Sequence, residues 1–108
     1  MKKLQSIVFI LTLTMASQTL GSGPMGFVQG SLCSLQNNGP APGLLVSLVH
    51  QYLGRSSPTY TDQYGNFQLF NIPARPEPYL IEVYWGQQLV YRNQIYVHGG
   101  VNLGRFCI

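Results

Sequence analysis

Thr61-Asp62-Gln63-Tyr64-Gly65-Asn66-Phe67-Gln68-Leu69 reads as a turn feeding a half-buried strand. Asp62 can fold its carboxylate onto the backbone N–H groups just ahead, and Gly65 can take a positive φ at no steric cost. Phe67 and Leu69 then point to one face and Gln68 to the other, the period of a β-strand. The turn is expected to reverse a short strand, Thr59–Thr61, into a longer one, Asn66–Phe70, as one hairpin. Asp62 is the only aspartate in the chain. With no catalytic partner beside it, Asp62 is read together with Gly65 as a structural turn.

The same period recurs on both sides of this segment. Upstream, Val28, Gly30 and Leu32 alternate with Gln29 and Ser31 in a first strand running to about Leu35. Gln36 to Gly43 is dense turn chemistry, because Asn-Gly favours positive φ and the prolines block strand pairing. Leu44, Val46, Leu48 and His50 share one face of a second strand, opposite Leu45, Ser47 and Val49; apolar on both faces, it is expected at the centre of a sheet. Gly54–Pro58 reads as a break. Downstream, Asn71–Pro78 reads as a loop that plugs Ile72 into the core. Tyr79, Ile81, Val83 and Trp85 alternate with Leu80, Glu82 and Tyr84. Gly86-Gln87 turns into Gln88–Arg92, followed by Ile95 and Val97 and then by Val101 and Leu103 leading to Phe106-Cys107. There is no helical period, heptad or repeat in this region. Short strands with frequent turn signals imply an all-β fold: a single seven-stranded Greek-key antiparallel β-sandwich.

These segments match a family pattern. Val28-x-Gly30-x-Leu32, Gly39-Pro40-x-Pro42-Gly43-x-x-Val46-Ser47-Leu48, Thr61-Asp62-x-x-Gly65-x-Phe67-x-Leu69-x-Asn71-Ile72-Pro73 and Tyr79-x-Ile81-x-Val83 resemble a carboxypeptidase regulatory-like domain. That family belongs to the transthyretin-like, prealbumin-like β-sandwiches, with collagen-adhesin B-type domains among its relatives. The resemblance covers about Val28 to Leu103. It implies a non-catalytic sandwich that lends folding support or contacts to other proteins. Cys33 and Cys107 lie outside the family's usual pattern.

Length and composition agree with an exported domain. The chain has 108 residues, enough for one domain and too few for two. Only 8% are charged, against roughly 25% in an average soluble domain. Met1-Lys2-Lys3 followed by the apolar run Leu4–Ala16 has the layout of a secretory signal peptide. Residues 1–16 are read as that signal, cleaved after Ala16 with Gly21 as a second option. Residues 17–25 are read as a flexible lead-in and 26–108 as the sandwich. The run is short of the roughly 20 apolar residues that span a bilayer, so no membrane insertion is expected after cleavage. Without the signal, four arginines face Asp62, Glu77 and Glu82, leaving a net charge of +1. This is no electrostatic footprint for nucleic acid. The expected compartment is the periplasm or the cell exterior. There, Cys33 and Cys107 read first as a disulfide and second as free thiols; Cys-x-x-Cys redox spacing is missing.

Candidate chemistry is sparse. His50 and His98 with Glu82 lack the spacing of a zinc site, and no cofactor is expected. A transthyretin-like hydrolase would bring His50 and His98 into one cleft, but the characteristic tyrosine-arginine-glycine-serine ending is replaced here by Gly104-Arg105-Phe106-Cys107-Ile108. Enzymatic function is therefore not expected. Leu80, Tyr84 and Tyr96 are expected to face outward as an apolar surface beside few charges, a pattern that marks partner sites. Open sheet edges offer a second route to a partner. The partner is expected to be another envelope or extracellular protein, or a second copy. An accessory subunit or chaperone of an envelope assembly or secretion machine is the alternative.

Overall fold

The computed structural model describes residues 24–108. The expected signal peptide and its cleavage sites lie outside the described residues. Eight strands follow in order: β1 Met25–Cys33, β2 Leu45–His50, β3 Gly54–Arg55, β4 Thr59–Tyr60, β5 Asn66–Pro73, β6 Tyr79–Trp85, β7 Gln88–Ile95 and β8 Gly100–Cys107. They form two sheets. One has the order β5-β1-β8; the other has the order β3-β2-β6-β7, with β4 also paired to β2. As expected, β2 is central, between β6 and the short strands β3 and β4.

The count and one direction differ from the sequence reading. Gly54 adopts φ 81° and turns the chain back, so that Gly54 and Arg55 pair with His50 and Val49 as the unexpected strand β3. β5 runs through Asn71-Ile72-Pro73 instead of stopping at Phe70, with Asn71 in the left-handed region at φ 57°. Ile72 is nonetheless buried, as expected. The sheets are not antiparallel throughout: β1 and β8 run parallel, Val28 beside Val101 and Cys33 beside Cys107. β7 and β8 belong to different sheets, so the chain crosses the sandwich between them, and a parallel pair requires such a crossover.

The inward faces carry the core. Val28 and Leu32 of β1, Val46 and Leu48 of β2, and Ile81 and Val83 of β6 are almost completely buried. Phe67, Leu69 and Ile72 cover them from β5. Each such side chain contributes about 1.5–3 kcal/mol relative to exposure. β8 seals the flank with Val101, Leu103 and Phe106.

The two cysteines form a disulfide, Cα to Cα 4.2 Å, across the β1–β8 pair and 74 residues apart in sequence. Closing so long a loop is worth about 4 kcal/mol in the chain-entropy picture. The Ile108 N–H donates to the Cys33 carbonyl at 2.9 Å, and the Leu35 N–H donates to the Ile108 carbonyl at 3.0 Å, so pairing continues past the bridge.

Candidate functional site

The Asp62–Gly65 turn joins the two sheets. Asp62 Oδ1 accepts from the N–H groups of Tyr64 and Asn66, each at 2.9 Å. Gly65 sits at φ 81°, and its own N–H donates to the Asp62 carbonyl at 2.9 Å. The hairpin expectation fails, because β4 pairs with β2 whereas β5 pairs with β1 in the opposite sheet. The turn is a crossing point fastened to β1: the Leu32 N–H donates to the Gly65 carbonyl at 2.8 Å. A Cβ on Gly65 would stand 2.3 Å from the Leu32 carbonyl oxygen, so the close approach requires glycine. Thr61 locks the other side, its buried hydroxyl accepting from the Leu44 N–H at 2.9 Å and donating to the Ala41 carbonyl at 2.7 Å. Asp62 and Gly65 thus have backbone work at this crossing.

The expected Leu80–Tyr84–Tyr96 surface is not one apolar patch. Leu80 and Tyr84 do occupy the outer face of β6, opposite Val49 and Leu45 of β2, and each is half-buried. Glu82 stands between them on the same face and is only 4% exposed. Its Oε1 accepts from Arg55 Nη1 at 2.9 Å and from the Tyr84 hydroxyl at 2.9 Å, while Arg92 Nε lies 3.3 Å from Oε2. Arg55 also donates to the Ser47 hydroxyl at 2.8 Å and lies over the Tyr84 ring. Burial pushes the Glu82 carboxyl up, but the Tyr84 hydroxyl and the two guanidiniums outweigh it and hold the group below the ordinary range. The same carboxylate draws the Arg55 pKa upward. Tyr96 lies past the end of β7, exposed, with its ring stacked on His98. The ionic cluster thus separates Leu80 from Tyr84, and Tyr96 belongs to a neighbouring loop.

Nor do the two histidines share an environment. His50 is buried at the end of β2, where its Nδ1 accepts from the N–H groups of Tyr52 and Leu53 at 3.1 and 3.3 Å. The ring proton therefore sits on Nε2, 3.1 Å from Glu77 Oε1. Glu77 also accepts from Arg75 Nε at 2.9 Å, and that hydrogen bond chiefly holds its carboxyl below the ordinary range. Both His50 nitrogens are thus occupied by structural bonds, which fix the turn after β2 and the loop before β6. Among the described residues, no three His, Cys, Asp or Glu side chains converge as metal ligands.

β7 is the outer edge of its sheet. Most of its side chains are exposed, and its one charge, Arg92, is directed to Glu82. It contains neither proline nor lysine, two of the usual protections against edge pairing. Among the described residues there is no helix long and apolar enough to cross a membrane.

No family model matches the sequence, and no curated protein matches it. Solved structures do share the fold. The major pilin subunit BcpA of Bacillus cereus is 15% identical, with a TM-score of 0.59, over 78% of this chain and 29% of the pilin. A 9R-lipoxygenase from Cyanothece PCC8801 is 17% identical, with a TM-score of 0.57, over 99% of this chain and 18% of the lipoxygenase. The 5-hydroxyisourate hydrolase of Klebsiella pneumoniae is 16% identical, with a TM-score of 0.51, over 77% of this chain and 90% of the hydrolase. The chain thus spans under a third of the pilin and the lipoxygenase that it resembles. At these identities the likeness is one of fold: the described residues form two facing β-sheets, a β-sandwich shared with a pilin subunit and with a 5-hydroxyisourate hydrolase.

Proposed function

We propose that this chain is an exported, non-catalytic β-sandwich module of the carboxypeptidase regulatory-like type that works by strand pairing with another envelope or extracellular protein. The carrying observation is β7, an eight-residue sheet edge with exposed side chains and no free charge of its own. Backbone N–H and C=O groups along such an edge add a partner strand without needing a side-chain code. The disulfide and the sparse charge fit an oxidising compartment outside the cytosol.

Hydrogen exchange read by mass spectrometry tests this. Residues 88–95 should exchange quickly in the purified chain and slow at least tenfold in its native extracellular or envelope fraction. Equal exchange in both would overturn the reading.

A permanent subunit of an extracellular assembly is the second reading, favoured by the likeness to a pilin subunit. It expects the chain to be insoluble when made alone and soluble when co-expressed with its assembly. A stable monomer in light scattering opposes it.

A further inference from the structure

The outer face of the three-stranded sheet differs in chemistry from the rest of the surface. Gln29 of β1 stands between Gln68 of β5 and Asn102 of β8; one row further, Ser31 stands between Asn66 and Arg105. The two rows floor an open groove of about 760 Å³, within the roughly 300–1,000 Å³ of small-molecule sites. Phe70 and Tyr60 line it from β5 and β4, and both rings are uncovered, 63% and 67% exposed.

The groove is polar, and its one carboxylate and one guanidinium leave it without net charge. At its end, Oδ1 of the Asp62 carboxylate accepts from the Tyr64 and Asn66 N–H groups. The Arg105 guanidinium is turned aside onto the carbonyl and side chain of Asn38. The amides are only partly used: Gln68 Nε2 donates to Gln29 Oε1 at 3.2 Å, the Ser31 hydroxyl donates to Asn66 Oδ1, and Asn102 Oδ1 accepts from the Gly104 N–H at 2.9 Å. This leaves the amide nitrogens of Gln29, Asn66 and Asn102 and the oxygen of Gln68 without a partner among the described residues. Each free nitrogen offers two N–H donors and the free oxygen accepts.

We infer that this groove binds a neutral polysaccharide. Sugar hydroxyls donate and accept at once, which suits a row of half-used amides, and the C–H faces of a pyranose lie against exposed aromatic rings. A charged polymer would find one carboxylate and one guanidinium of opposite sign, and no net charge to hold it. An extended peptide pairs with backbone groups along a sheet edge, whereas the floor of this groove is a sheet face that presents side chains.

The test uses the full-length chain, purified after expression, with crystalline cellulose, chitin, soluble β-1,3-glucan and mannan as probes in pull-down and affinity electrophoresis. At least one should retain the chain, and retention should persist in about 1 M NaCl, where charges are screened beyond about 3 Å. Phe70→Ala and Gln29→Ala should each weaken retention at least tenfold with the melting temperature unchanged. Leu89→Lys, on the β7 edge, should leave it intact, which separates this inference from the strand-pairing reading. No retention by any probe, equal retention of wild type and Phe70→Ala, or loss in high salt would overturn the assignment. Retention abolished by protease treatment of the polysaccharide would make a protein the ligand and overturn it equally.

Discussion

The two outer sheet faces solve one problem in opposite ways. On the β3-β2-β6-β7 sheet, Glu82 gathers Arg55, Arg92 and Tyr84 around itself, and the polar groups satisfy one another. On the β5-β1-β8 sheet, Gln68 bonds to Gln29 and the Ser31 hydroxyl to Asn66, and the other end of each amide has no partner among the described residues. The first face is closed on itself and the second is open to solvent. Their sheets are secured differently as well: the first by charge, the second by a covalent bond between its central strand and its edge. A buried carboxylate must be fully partnered, whereas a neutral amide at the surface can wait for a ligand at little cost.

Breaking the covalent tie has the largest expected effect. Cys33→Ala with Cys107→Ala should lower unfolding free energy by about 4 kcal/mol, measured in urea. The loss should fall on β8, read as faster hydrogen exchange over residues 100–107 than over β6. Uniform loosening of both sheets would mean that the sandwich does not divide in this way.

The crossing between the sheets comes next. Gly65→Val places a Cβ against the Leu32 carbonyl at a positive φ, and a loss of roughly 3 kcal/mol is expected in thermal or urea melts. Asp62→Ala removes two hydrogen bonds and should cost about 1–2 kcal/mol. Wild-type stability in either variant would refute the role given to this turn.

The charge cluster yields a smaller effect with a pH signature. Glu82→Ala should cost about 2 kcal/mol at neutral pH, since it leaves two arginines together and frees the Tyr84 hydroxyl. Because the folded-state carboxyl is held below its ordinary value of 4.5, its contribution is complete above that value. It is lost as pH falls through the lowered folded value. The gap between wild type and variant should therefore close in acid, and a gap that widened below pH 4.5 would contradict the sign.

The smallest effect sharpens the contrast. Gln68→Ala on the open face should change stability by no more than about 0.5 kcal/mol, as exposed substitutions usually do. A loss as large as that of Glu82→Ala would mean that the amide rows stabilise the fold instead of standing open.

Much of the fold was legible in the residues. Alternation placed Phe67, Leu69, Ile81 and Val83 inside and identified β2 as central, because side-chain parity is local and hydrophobic burial acts on it directly. The Cys33–Cys107 pairing was legible from the even cysteine count and the expected oxidising compartment. The Glu82 cluster was not. A plain hairpin from the Trp85–Gln88 pair would set Glu82 opposite Tyr91. The irregularity between Val83 and Tyr84 shifts the register by one and sets Glu82 opposite Arg92, with Tyr91 turned to Val83 and the core. No local signal announces that extra residue. Arg55 was equally hidden, because β3 exists only where β2 offers it an edge.

The Thr61–Leu69 stretch divides along the same line. By itself the sequence determined that Asp62 and Gly65 turn the chain and that Asn66 starts a strand with Phe67 and Leu69 facing inward. Those outcomes depend on torsion preference and on neighbours within a few residues. Only the tertiary structure decided that the chain there leaves one sheet for the other, and that Gln68 faces Gln29 over a groove and not over solvent alone. Strand alternation specifies which way a side chain points but not which strand lies beside it. That choice is made by contacts between residues dozens of positions apart, such as the hydrogen bond from Leu32 to Gly65.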